Sequence, residues 1–244
     1  MKIKKWKIFR LIWFSLVSVF FIWQWSTYQS RNLPENIYKE NEKVAVIESS
    51  DKITFLSKNS NHKSEIIFFQ GGLTDPEAYA PLCRKIAENG FTCHLIKMDW
   101  RMPQWDYKKI EDLFNLQNDN YILGGHSQGA KMSAQFVYEN ANLMKGLFLL
   151  GTSHPRDYSL SNRKIPTIKL YAEFDGLASV SEVMENKDKL PKNAILKIIK
   201  GGNHSQFGYL GNLLTDETAT ISLNEQQKMT LEYLIDFFQK IENH

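Results

Sequence analysis

The segment Gly125-His126-Ser127-Gln128-Gly129 sets a serine between two glycines. Before it, Asn120-Tyr121-Ile122-Leu123 is short and apolar and reads as a buried strand, and after it Ala130 to Glu139 has helical spacing. Strand, G-x-S-x-G and helix together make a nucleophile elbow, in which a strained turn lifts the serine hydroxyl above a sheet. A side chain at Gly125 or Gly129 would collide with the neighbouring strand or helix. A serine so placed can attack an acyl carbon, provided that a base takes its proton.

An elbow of this kind draws its partners from later strand ends, in the order serine, acid, histidine. Of the six histidines, His62, His94, His126 and His154 lie before the elbow or too close to it. Only His204 and His244 come late enough, and His244 ends a helical run. His204 follows the strand-like run Ala194 to Lys200 and two glycines, so it is the expected base. The acid belongs on the loop after the preceding strand, Thr167 to Tyr171, where Ala172-Glu173-Phe174-Asp175-Gly176 follows. Asp175 precedes a glycine and so sits on a turn, and it is preferred to Glu173. In these roles Ser127 attacks, His204 takes and later returns the proton, and Asp175 fixes the imidazole tautomer.

Acyl transfer also needs donors for the oxyanion. One is the N–H of Gln128, directly after the serine. The other belongs to the loop after an earlier strand, and Ile66-Ile67-Phe68-Phe69 leads there into Gly71-Gly72-Leu73. The amide of Leu73 or of Gly72 fits this role, and the sequence does not separate them.

The elements that must position these residues alternate. Val44–Ile47 and Ile53–Leu56 suit an opening antiparallel pair. Strands follow at 64–70, 91–98, 120–124, 144–150, 167–173 and 194–200. Helices fall at 76–89, 106–117, 128–139, near 179–189 and at 224–242. Such alternation predicts an α/β fold whose mostly parallel sheet is covered by helices on both faces. Only Gly151 to Pro166 separate the strand ending near Leu150 from the next, too few residues for a helical cap. The loop 99–107, with Trp100, Arg101, Met102 and Trp105, is the expected wall of the substrate pocket, joined by Phe207.

Three ordered blocks carry a resemblance. Phe69-Gln70-Gly71-Gly72 with Asp75 to Leu82, Gly124 to Gly129, and Gly201-Gly202-Asn203-His204-Ser205-Gln206-Phe207-Gly208 resemble small bacterial α/β-hydrolases of the dienelactone-hydrolase-like group. The likeness covers about residues 60–240 and implies the α/β-hydrolase fold and a serine-esterase activity. True dienelactone hydrolases use a cysteine nucleophile, so Ser127 departs from them and argues against their substrate. Glu77 and Gln206 match positions in these blocks without a derivable role.

The first thirty residues stand apart. Lys2, Lys4, Lys5, Lys7 and Arg10 precede Leu11 to Ser30, twenty residues without a charge. Twenty helical residues span about 30 Å, the thickness of a bilayer's hydrocarbon core. Small residues at the spacing read by signal peptidase are missing around Ser26-Thr27-Tyr28, and no cysteine follows for lipidation. Residues 1–30 therefore read as an uncleaved transmembrane anchor with its N-terminus cytoplasmic, with a cleaved signal peptide as the alternative, 31–42 as a polar stalk, and 43–244 as an extracytoplasmic catalytic domain.

Of the 30 lysines and arginines, 25 remain outside these five, against 27 acidic residues, so the domain carries about −2. That balance leaves no footprint for nucleic acid. No metal-ligand spacing appears, and no cofactor is expected. Cys83 and Cys93 fall at similar height on a predicted helix and strand, and both read as buried free thiols. The expected activity is hydrolysis of small or short-acyl carboxylic esters at a membrane. A cell-envelope peptidase or acyltransferase on the same residues, or a binding protein that kept the fold, are the alternatives. The oligomeric state is not legible.

Overall fold

In the computed structural model of the 244-residue chain, residues 2–60, 62–118 and 120–243 are described; His244 lies outside them. Helix α1, Lys2–Thr27, comes first. Strands β1, Val44–Glu48, and β2, Lys52–Ser57, then form the expected antiparallel pair. The parallel strands are β3, Glu65–Phe69; β4, Cys93–Ile96; β5, Tyr121–His126; β6, Gly146–Leu150; β7, Thr167–Phe174; and β8, Ile195–Asn203. Together they make one eight-stranded sheet in the order β1-β2-β4-β3-β5-β6-β7-β8, antiparallel only at β1-β2 and β2-β4.

Alternation along β3 shows how the sheet is buried on both faces. Ile66 and Phe68 join one apolar cluster, with Leu82 and Ile86 of α2, Ala80–Glu88, and Leu234 and Phe238 of α7, Leu223–Glu242. Ile67 and Phe69 point the other way, to Ala130, Ala134 and Phe136 of α5, Gln128–Glu139. Side chains of a strand alternate between faces, so a continuous apolar run needs a partner on each. Two capping boxes close helix starts: Ser222 with Glu225 on α7, and Ser179 with Glu182 on α6, Val180–Glu185.

Three expectations are corrected. The helix read over 106–117 is broken into α3, Pro103–Asp106, α4, Ile110–Leu113, and flanking 3-10 turns, because this segment follows the irregular loop at 99–102 instead of continuing a single apolar stripe. The strand read at 194–200 continues through Gly201 and Gly202 to Asn203, so His204 follows it at once. Residues 31–42 are not a free stalk. Ile37 is buried, and Arg84 Nη1 on α2 donates to the carbonyls of Ile37 at 2.9 Å and Lys39 at 2.7 Å. Residues 151–166 carry no helix. Cys83 and Cys93 are buried and unbridged, and burial pushes the Cys83 thiol well up, with Cys93 adding to the shift.

Helix α1 is apolar and long enough to cross a membrane over Lys4–Thr27, 24 residues of which none of the apolar window is buried.

Candidate active site

The elbow joins β5 to α5 at Ser127, whose backbone adopts φ 54 and ψ −116. This left-handed conformation is one that residues with a Cβ avoid. It persists here because the chain around it is close-packed. A Cβ at Gly129 would collide with the carbonyl oxygens of Gln70 and Phe69, and one at Gly125 with that of Phe69. The Ser127 N–H donates to Leu150 O at 2.9 Å, which ties the turn to β6.

Asp175 and His204 are brought together from the ends of β7 and β8. His204 Nδ1 lies 2.9 Å from both Asp175 Oδ1 and Oδ2, with both side chains buried. Asp175 Oδ1 also accepts the N–H groups of Leu177 at 2.9 Å and Ala178 at 2.6 Å, which orient the carboxylate. Glu173, the competing acid, is exposed and accepts from Gly201 N at 2.8 Å, away from the histidine. His204 Nε2 is buried without a hydrogen-bond partner among the described residues, and it lines the same cleft as Ser127. Contacts between base and nucleophile commonly tighten only when substrate is in place.

The cleft has a volume of about 280 Å³, and Tyr28, Gly72, Leu73, Met102, Ser127 and Leu177 are among its walls. The two expected oxyanion donors differ in their freedom. Leu73 N–H already donates to Arg101 O at 2.7 Å, so it is spent, a correction that leaves Gly72. Among the described residues, the N–H groups of Gly72 and Gln128 meet no protein acceptor. A Cβ at Gly72 would lie 3.2 Å from Gln128 Cβ, so the two residues adjoin at the cleft that both line.

The expected pocket residues do not line this cleft. Trp100 is 85% exposed. Arg101 turns to the end of α1, its guanidinium 4.9 Å from the Trp25 ring centroid and Nη1 3.0 Å from Gln29 Oε1. Both residues have positive φ, 54 and 57. Phe207 is fully buried against the His126 ring at 5.5 Å between centroids. Met102 and Gln104 of the same loop line the cleft instead, while Glu77 and Gln206 lie outside it.

Three contributors were not legible in the sequence. Asp216 clamps the acid and base loops together. Its Oδ1 accepts from Gly176 N and His204 N, both at 3.2 Å, and its Oδ2 from Ser205 N at 2.8 Å and Ser205 Oγ at 2.5 Å. Tyr79 supports the elbow from below, with its hydroxyl 2.8 Å from His126 Nδ1 and accepting Gly71 N–H at 3.2 Å. Burial, and then the proximity of His204, hold the His126 imidazole neutral by pushing its pKa well down. A neutral ring here, 4.4 Å from His204 between centroids, places no opposing charge beside an imidazolium. Tyr28, at the end of α1, is the third. Among the described residues, no group of three or more histidine, cysteine, aspartate or glutamate side chains is placed to hold a metal ion.

Comparisons with known proteins agree with this architecture. The fold is similar to a CIB-like hydrolase from Thermoplasma acidophilum, with TM-score 0.57, 12% identity, and coverage of 79% of this chain and 99% of that one. It is similar to an esterase/lipase from an uncultured bacterium, with TM-score 0.59, 8% identity, and coverage of 85% and 88%. A carboxylesterase from Bacillus cereus gives TM-score 0.51 at 16% identity, covering 85% of this chain and 100% of that one. No curated protein matches the chain in sequence. The model of the alpha/beta hydrolase family matches residues 65–228, a span that holds Ser127, Asp175 and His204. The chain belongs to the alpha/beta hydrolase family.

Proposed function

We propose that this hydrolase is a membrane-anchored serine esterase acting on small or short-acyl esters. The observation that carries the reading is the buried Asp175–His204 pair, facing the same cleft as a serine on a strained elbow. In the first half-reaction Ser127 Oγ bonds to the ester carbonyl carbon while His204 Nε2 takes its proton. The amides of Gly72 and Gln128 hold the oxyanion, and donors of this type contribute about 2.7–4 kcal/mol each. The C–O bond to the alcohol then breaks, and the alcohol leaves with the proton from His204. In the second half, water adds to the acyl carbon, His204 takes its proton, and the carboxylic acid departs as Ser127 regains its hydrogen. Asp175 stays ionised and holds Nδ1–H throughout.

The structural likeness to an esterase/lipase and to a carboxylesterase supports the ester class, and the three sequence blocks support the narrower likeness to dienelactone-hydrolase-like proteins. A narrow cleft without a cap favours short acyl groups, since each methylene adds about 0.8 kcal/mol only where a wall receives it. The basic, apolar α1 supports the anchor. A fluorophosphonate probe should label the full chain at Ser127, and p-nitrophenyl acetate should be turned over. Ser127→Ala should abolish both, and persistence of either in that variant sinks the reading.

A further inference from the structure

The end of α1 is bolted to the rim of the catalytic cleft. Thr27 O accepts Gly211 N–H at 2.9 Å, Tyr28 O accepts Asp75 N–H at 2.8 Å, and Arg31 N–H donates to Tyr209 O at 2.8 Å. Ser30 Oγ donates to Asp75 Oδ2 at 3.0 Å. These bonds reach both the loop that offers the oxyanion amide and the loop that follows His204. They leave no slack between span and site, and Tyr28 itself lines the cleft.

That attachment sets the depth of the cleft. Residues 11–30 carry no charge, and Arg31 ends the run. Trp25, an interfacial residue type, is exposed three positions before Tyr28. Three helical residues rise about 4.5 Å, less than the roughly 5–7 Å of one headgroup layer. The cleft mouth therefore opens at headgroup level.

The rim is built for that position by an independent feature. Leu73, Trp100 and Arg101 all have positive φ, and the Leu73 N–H to Arg101 O bond clips them together. The strained turn holds Trp100 85% exposed and Leu73 43% exposed, with Trp105 of the same loop 70% exposed. Strain that presents indoles and a leucine outward has no stabilising return in water, and it does against lipid.

We infer that this rim sits in the outward leaflet of the membrane that α1 spans, and that the substrate is an amphiphilic acyl ester resident in that leaflet. Such a molecule carries its ester at the headgroup–hydrocarbon boundary and keeps its chains in the bilayer. Only the ester has to rise into a cleft of about 280 Å³, so the bilayer supplies the wall that the missing cap does not. The reaction is the hydrolysis given above, releasing a fatty acid and the remaining alcohol. The inference rests on the anchored-esterase reading and replaces its short-acyl preference, because chains that stay in the bilayer need no wall in the protein.

The test uses the full chain reconstituted in phosphatidylcholine vesicles. A nitroxide on Trp100→Cys should be relaxed more by lipid-soluble oxygen than by an aqueous nickel chelate. Native Cys83 and Cys93 are fully buried and should stay unlabelled. A vesicle-embedded fluorogenic long-chain diacylglycerol ester should be hydrolysed by the protein in the same vesicle. The variant Trp100→Ser/Trp105→Ser should lose about tenfold or more on it, the order expected when two aromatic side chains leave an apolar contact. Its turnover of p-nitrophenyl acetate should stay within about twofold of the parent, a difference worth under 0.5 kcal/mol. Aqueous exposure of the nitroxide, or an embedded ester left intact while p-nitrophenyl acetate is cleaved, overturns the inference and leaves the esterase standing. Release of the chain by alkaline carbonate, or labelling that survives Ser127→Ala, would instead overturn the reading beneath it.

Discussion

Left-handed backbone at residues with a Cβ recurs along this chain, and two of its occurrences, at the elbow and at the rim, have opposite surroundings. At Ser127 the conformation is enforced from inside: Gly125 and Gly129 press against the carbonyls of β3, and β6 holds the serine N–H. At Leu73, Trp100 and Arg101 it lies on the outer rim, held by the Leu73 N–H to Arg101 O and Arg101 N–H to Met98 O hydrogen bonds and by the docked end of α1. The contrast teaches where strain can be stored. Inside, packing density alone over-determines a turn. Outside, the turn rests on a few local hydrogen bonds and leaves Trp100 exposed.

The largest effect should come from the interior. Asp175→Asn keeps the shape of the loop but removes the charge that orients His204, and turnover of p-nitrophenyl acetate should fall by roughly 10⁴, the loss that the same change causes in a serine-protease triad. Glu173→Gln, which disturbs only the Gly201 amide, should change it by less than about tenfold, 1.4 kcal/mol. Equal losses in the two variants would break the assignment of the acid.

Elbow packing can be tested without any substrate. Gly129→Ala puts a Cβ into the carbonyls of Gln70 and Phe69, which are backbone and cannot step aside. Overpacking of this kind costs about 1–3 kcal/mol or more. The thermal midpoint in detergent should drop by several degrees, given about 2–4 °C per kcal/mol for a chain of this size. An unchanged midpoint would show that the elbow is not held by packing.

Interior burial also leaves a signature in pH. Lys169 on β7 is fully buried and donates to His154 O at 2.8 Å, and burial pushes its amine down to about 7 from 10.5. Between those two values the unfolded chain binds the proton and the folded chain does not, so stability rises with pH. The denaturation free energy of the parent should therefore climb from about pH 7 towards 10, and Lys169→Met should flatten the climb. A slope that survives that substitution would assign it to other groups.

On the rim the effect should be smallest and of opposite sign. Trp100→Gly relieves a left-handed conformation worth about 1–2 kcal/mol, offset in part by the entropy of glycine. In detergent the midpoint should hold or rise slightly. A marked fall would mean that Trp100 packs as the interior does, and the comparison would collapse.

What was legible in the sequence is what short-range pattern encodes. Helix α5 falls where it was read, and β7 extends one residue further, to Phe174. Ser127 and His204 stood out because an elbow needs glycines at fixed spacing and because only His204 combined a late position with a preceding strand. Asp175 was preferred over Glu173 by its turn, and it is Asp175 that faces the histidine. The two glycines of the His204 block were read as loop and form strand, since strand membership depends on pairing with β7.

The tertiary structure decided everything that joins residues distant in the chain. Whether Leu73 or Gly72 keeps a free amide depends on Arg101, 28 positions beyond Leu73. The Asp216 clamp depends on two loops meeting. The supposed stalk became a strap because Arg84 reaches the carbonyls of Ile37 and Lys39. Trp100 and Phe207 left the pocket, one for solvent and one for the core. Periodicity and motif spacing record which face a residue prefers and which turn it can make. They do not record which partner waits across the fold, because that is a property of the packed chain and of no local segment within it.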